Sequence, residues 1–221
     1  MAVVAVSESV NETLLVDTTG DLDDVSRQRV TCGHRTTRAG TIERGAMSEE
    51  LEATYRKFLD DAVTSGYEQL REGRSGLDVV ASVIQLMEDS PLFNAGRGAV
   101  YTWEGTHELD ASIMHGENLD AGAVAGVSNV KSPIALARAV MEDSPHVMLA
   151  GAGAEAFALE QGFDPVPPEY FSTERRRKAL EAYKSNEQAG LQPEADHKFG
   201  TVGVVCWIRP AIWSRAPQPV G

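Results

Sequence analysis

Apolar residues recur at helical spacing through Leu51, Tyr55, Phe58, Leu59, Ala62 and Val63, which predicts a helix opened by Ser48. Glu49 and Glu50 fall in its first turn, where carboxylates suit the positive end of the helix dipole. The helix ends near Gly66 or continues to Gly73. Ser75 caps a second helix with Leu77, Val80, Val83, Ile84 and Met87 on one face. Both helices read as core-packing layers. Pro91 breaks the pattern, and the period then changes. His107 to Met114 alternates and predicts a strand, Gly116 to Asp120 a turn, and Gly122 to Val127 a short strand of small residues. Ser132-Pro133 opens a helix that runs to about Glu142 and buries Ile134, Ala137, Val140 and Met141. Val147 to Ala150 reads as another buried strand, followed by a helix from Gly151.

Thr173 and its neighbours cap a basic helix from Arg175 to Lys184, whose three consecutive arginines read as a solvated face. Ser185 to His197 is polar and reads as an exposed linker. Lys198 to Cys206 then turns abruptly into small and β-branched residues, the signature of a buried strand. The first 38 residues stay unplaced. Val3 to Val6 and Thr13 to Val16 have strand composition, Gly20 to Asp24 is an acidic turn, and Val30 to Arg38 is polar and basic without a clear period.

The 221 residues suffice for one substantial domain. A net charge of −13, from 20 basic and 33 acidic residues, argues against a nucleic-acid partner and for a soluble protein. No apolar run approaches the roughly 20 residues needed to span a bilayer, so no membrane partner is expected. The apolar start, Met1 to Val6, lacks the basic residues of a secretory signal. Cys32 and Cys206 form no redox or metal motif, and a cytoplasmic location is the expectation.

Several motifs compete for chemistry. Gly96-Arg97-Gly98 suggests a phosphate cradle but lacks the third glycine and the helix such a loop needs. Gly151 to Ala156 is a partial dinucleotide fingerprint, and it supports the alternative of an α/β nucleotide-binding module. His107, Asp110 and His115 invite a metal, but their strand spacing sets them on opposite faces and ends. Asn94 reads on its own as a turn residue that bonds its backbone. Thr201, directly after Gly200, reads either as a threonine at home in a strand or as a nucleophile. A threonine hydroxyl needs an adjacent base, and its own α-amine can serve once the Gly200–Thr201 bond is cut. That amine has an ordinary pKa of about 7.7–8.0.

Four ordered blocks and the nucleophile motif together resemble one family. They are Ser90-Pro91-Leu92-Phe93-Asn94-Ala95-Gly96-Arg97-Gly98-Ala99-Val100, Thr106 to Met114, Ala121 to Val127, Ser144 to Leu149, and Gly200-Thr201-Val202-Gly203. The chain resembles the isoaspartyl peptidase/L-asparaginases, also called plant-type asparaginases, which are N-terminal-nucleophile hydrolases. The resemblance implies an α/β (α+β) fold, here an incomplete αββα sandwich, with residues 39–200 as the α-chain-like part and 201–206 as the nucleophile strand. It implies autocleavage between Gly200 and Thr201, Thr201 as nucleophile, and Asn94 as the residue that helps position it. The implied substrates are L-asparagine and β-aspartyl dipeptides, and cleaved αβ units pair as a homo-oligomer. No cofactor for catalysis is implied. A structural sodium ion is, on main-chain carbonyls that correspond by position to Met87, Glu88, Ser90, Phe93, Ala95 and Arg97.

The chain departs from the family at both ends. Before Thr41 only Ala39-Gly40 matches the turn expected there. From Trp207 to Gly221 the sequence holds two of the three tryptophans and shows no period. In a shifted frame its codons are compatible with the family's Gly-Asn-Leu and Thr-x-Thr-Gly-Gly, so residues 207–221 are expected to be a frameshift product. The family's carboxylate-gripping arginine, second threonine and oxyanion groups lie beyond that point, which leaves an inactive truncated fragment as the rival expectation.

Overall fold

The computed structural model describes residues 2–3, 29–35, 48–188 and 201–207, with side chains for 48–188 and 201–206. A six-stranded sheet organises them. The strands are β1 (Ala2–Val3), β2 (Arg29–Arg35), β3 (Leu109–His115), β4 (Ala121–Val127), β5 (Met148–Ala150) and β6 (Thr201–Trp207), in the order β2-β6-β1-β3-β4-β5. Every pairing is antiparallel except that of β4 with β5.

The helices begin where the serines place them. The Ser48 hydroxyl accepts from the Leu51 N–H at 3.2 Å, and α1 (Glu49–Arg71) follows. It passes Gly66 and stops before Gly73, whose φ of +86° suits glycine. Ser75 accepts from Asp78 N–H at 3.1 Å and opens α2 (Gly76–Glu88). Ser132 caps α3 (Pro133–Asp143), with proline in the first turn. Two further helices are α4 (Gly151–Glu160) and α5 (Glu174–Gln188).

The core lies between the sheet and these helices. Val202, Val204 and Cys206 alternate into it from β6, and α2 packs on that strand. Val79, Val80, Val83 and Met87 of α2 are fully buried, as are Phe93 and Phe171. Helix α3 presses on β3 and β4, and Gly122 makes that approach possible. A Cβ there would stand 2.1 Å from the Ala137 carbonyl oxygen.

Four local expectations need correction. The stretch Val30 to Arg38 lacks a clear period, yet Arg29–Arg35 is a strand, paired along its whole length with β6 from Arg29↔Trp207 to Arg35↔Thr201. Long-range pairing, not local pattern, makes it one. The strand predicted from His107 begins at Leu109 instead. The strand predicted at Val147 as buried is the outermost one of the sheet, with Val147 and Met148 exposed. The expected linker from Ser185 begins as helix, since α5 continues to Gln188. The strand reading of Val3 to Val6 survives at Val3. Thr13 to Val16, Gly200 and residues 208–221 lie outside the described residues.

Candidate active site

Thr201 is the first residue of β6, and the buried–exposed alternation of that strand turns it away from the helical core. It is half-buried and lines a cavity of about 290 Å³. Asn94, Glu88, Glu108, Asp110 and Ser112 line the same cavity. The structure therefore brings together the two residues singled out as nucleophile and positioning group, although they are far apart in sequence.

Asn94 sits in the loop that follows α2. Its Oδ1 accepts from the Val100 N–H at 2.9 Å. The bond reaches six residues along the loop, and it has a chemical consequence. With the oxygen fixed, the side-chain NH₂ is the end left to donate, and it has no partner among the described residues.

The loop is wound tightly. Gly96 has φ +47°, and a Cβ on it would lie 2.3 Å from the Glu88 carbonyl oxygen. A Cβ on Gly98 would lie 2.1 Å from the Phe93 carbonyl oxygen. Two of the six carbonyls that the resemblance links to a sodium ion, those of Glu88 and Phe93, thus crowd the loop's own glycines. Those of Met87 and Ala95 accept backbone N–H groups, among them those of Ser90 and Gly98. Main-chain carbonyls are donors of the kind that a hard cation takes.

Glu88 matters through its side chain as well, which the sequence did not reveal. The carboxyl is 4% exposed. Its Oε2 accepts from the Ser132 hydroxyl at 2.6 Å and its Oε1 from the Ile134 N–H at 3.0 Å. The last residue of α2 therefore caps the first turn of α3, beside the serine that caps it from within. Burial pushes the Glu88 carboxyl up to about 7, against the opposing pull of those two hydrogen bonds.

Asp110 stands at a bulge where the β3–β4 register shifts between Leu109 and Ala111. Its Oδ1 accepts from the Gly126 N–H at 2.8 Å, across from the irregularity. His107 and His115 go elsewhere. His107 is buried, with Nδ1 on the Val100 carbonyl at 3.1 Å and Nε2 3.3 Å from the Ser172 hydroxyl. Desolvation lowers its pKa. His115 Nδ1 meets Asn118 Oδ1 at 2.7 Å. No group of His, Cys, Asp and Glu fit to hold a metal occurs among the described residues.

The arginine run of α5 is not simply a solvated face. Arg177 pairs with Glu174 on the surface, but the other two arginines turn to the Asn94 loop. Arg175 donates to the Tyr55 hydroxyl at 2.7 Å and the Leu92 carbonyl at 2.6 Å. Arg176 Nε donates to the Gly98 carbonyl at 2.8 Å, and burial lowers its pKa to about 10. Gly151 and Gly153 lie in the first turn of α4 beyond β5, and neither borders the cavity. No helix among the described residues is long and apolar enough to cross a membrane.

The profile of the family described as Asparaginase matches residues 35–208. An isoaspartyl peptidase of Salmonella typhimurium is 49% identical over 172 residues, which cover 76% of this chain and 55% of that one. The human isoaspartyl peptidase/L-asparaginase is 42% identical over 161 residues, 73% of this chain and 52% of its own. A plant-type L-asparaginase of Pyrococcus furiosus is 47% identical over 143 residues, 65% and 44% respectively. The chain spans about half the length of the curated relatives it matches.

Proposed function

Because this chain belongs to the asparaginase family, we propose that it is the precursor of a threonine amidohydrolase that cuts itself between Gly200 and Thr201. The observation that carries this reading is the meeting of Thr201 and the unpaired Asn94 NH₂ at one cavity. In the first reaction the Thr201 hydroxyl adds to the Gly200 carbonyl. The C–N bond breaks, an ester forms on the threonine oxygen, and the nitrogen becomes the free α-amine. Water hydrolyses the ester and leaves a carboxylate on Gly200. In turnover the α-amine takes the hydroxyl proton as the oxygen attacks the side-chain amide of L-asparagine or a β-aspartyl bond. The proton passes to the departing ammonia or amine, and water frees aspartate from the resulting ester. The Asn94 NH₂, left free to donate, helps position the Thr201 hydroxyl for attack.

The substrate class follows the names of the relatives, isoaspartyl peptidase and L-asparaginase. The αββα sandwich, and its pairing into an oligomer of cleaved units, belong to the same reading. A sodium ion on the carbonyls of Met87, Glu88, Ser90, Phe93, Ala95 and Arg97 stiffens the Asn94 loop and takes no part in bond making. The test is an intact-mass time course of the purified chain, followed by amino-terminal sequencing. Two fragments are expected, the second beginning at Thr201. A chain that keeps its full mass indefinitely refutes the proposal.

A further inference from the structure

Two consecutive residues of α5 grip the Asn94 loop on opposite sides of Asn94. Before it, Arg175 Nη2 donates to the carbonyls of Leu92 at 2.6 Å and Pro91 at 3.3 Å, while Nη1 reaches the Tyr55 hydroxyl at 2.7 Å. That hydroxyl itself donates to the Leu92 carbonyl at 2.6 Å, so arginine, tyrosine and carbonyl close a triangle. After it, Arg176 Nε donates to the Gly98 carbonyl at 2.8 Å. Neither arginine has a carboxylate partner among the described residues, so both spend their charge on neutral oxygens, mostly of the backbone. The loop also has backbone ties of its own. Among the described residues they include Ser90 to Met87, Gly98 to Ala95 and Ala99 to Gly96, besides the Ser90 and Asn94 side-chain bonds.

Helix geometry explains why neighbours are used. Consecutive residues of an α-helix point about 100° apart. One turn of α5 can therefore reach both limbs of a loop that passes in front of it. Thr173, whose hydroxyl accepts from the Arg176 N–H at 3.3 Å, fixes the start of that turn. Further along, Tyr183 meets Trp103 edge-on at 6.1 Å and Lys184 lies 5.1 Å over the same ring. The helix is thus fastened at both ends.

We propose that Arg175 and Arg176 are positioning residues, which set the Asn94 side chain against Thr201 by clamping the loop from both sides. The inference rests on the reading of Thr201 as the nucleophile, but its first test does not. Amide exchange at Val100, whose N–H holds Asn94, is compared in the full chain and in Arg175→Met and Arg176→Met. Each variant should speed exchange at Val100 and Gly98 by about tenfold or more, the scale of one lost charge-assisted hydrogen bond. Exchange at Val83, in the middle of α2, should stay unchanged. Arg176→Lys keeps a donor for one carbonyl and should restore protection. Arg175→Lys should restore only part, because one ammonium replaces a fork that serves three acceptors.

The second readout is the pace of Gly200–Thr201 cleavage at equal folded fraction. It should slow in the methionine variants and recover in Arg176→Lys. Unchanged Val100 exchange in both methionine variants overturns the proposal, as does slowed cleavage that lysine does not recover. A parent chain that never cleaves sinks the nucleophile reading alone, and exchange still decides the clamp.

Discussion

The Glu88 carboxyl accepts the Ile134 N–H at 3.0 Å, so one buried side chain joins the end of α2 to the start of α3. Its raised pKa makes this junction pH-sensitive in an unusual direction. The folded chain holds the proton up to about pH 7, whereas an unfolded glutamate releases it near 4.5. Between those values the folded state binds more protons, so stability falls as pH rises. The contribution is full below 4.5 and lost above 7, a change of about 3 kcal/mol. Thermal melts from pH 4.5 to 8 should show the decline in the parent, and Glu88→Gln should flatten it. Parallel profiles for the two proteins would refute the assignment.

Asn94→Asp separates the two ends of the side chain. The carboxylate still accepts the Val100 N–H, but the donor is gone. We expect an unchanged melting temperature and cleavage at Gly200–Thr201 slower by about 10²-fold, the scale of a misplaced reacting group. Intact mass against time measures it.

Glycine substitutions should have opposite signs at different sites. Gly98→Ala drives a methyl into the Phe93 carbonyl and should cost about 2 kcal/mol or more in denaturant titration. Gly153→Ala meets nothing within 4 Å on α4 and should gain about 0.5–1 kcal/mol.

Sodium should stabilise the chain by mass action if the loop carbonyls hold it. The melting temperature should rise with the logarithm of sodium concentration at constant ionic strength, with choline as the replacement cation. Gly98→Ala should abolish the slope, because it distorts the Phe93 carbonyl.

Features coded within a few residues were legible in the sequence. Ser48, Ser75 and Ser132 each announce a helix because a cap bonds only three positions away. The meeting of Asn94 and Thr201 was legible only through resemblance to a family. Contacts between distant segments left no local trace. Glu88 caps a helix that starts far downstream, and its carboxylate looks from the sequence like an ordinary helix end. Arg175 and Arg176 obey the charge pattern of a wet surface, since the carbonyls they seek are invisible in side-chain composition. Val147 and Met148 look like core residues because a strand at the margin of a sheet can be as apolar as one inside it.

The place of β6 between β2 and β1 sets a timetable for folding. Thr201 pairs opposite Arg35, and Cys206 opposite Ala2, so β6 can enter the sheet only after nearly the whole intervening chain has been made. Such non-local pairing is slow compared with helix formation, because the loop must close before any contact rewards it. While the helices condense, the threonine stays apart from its cavity. On the proposed reading, a ribosome-bound chain therefore carries a threonine hydroxyl that cannot yet act, and sheet closure is the event that arms it.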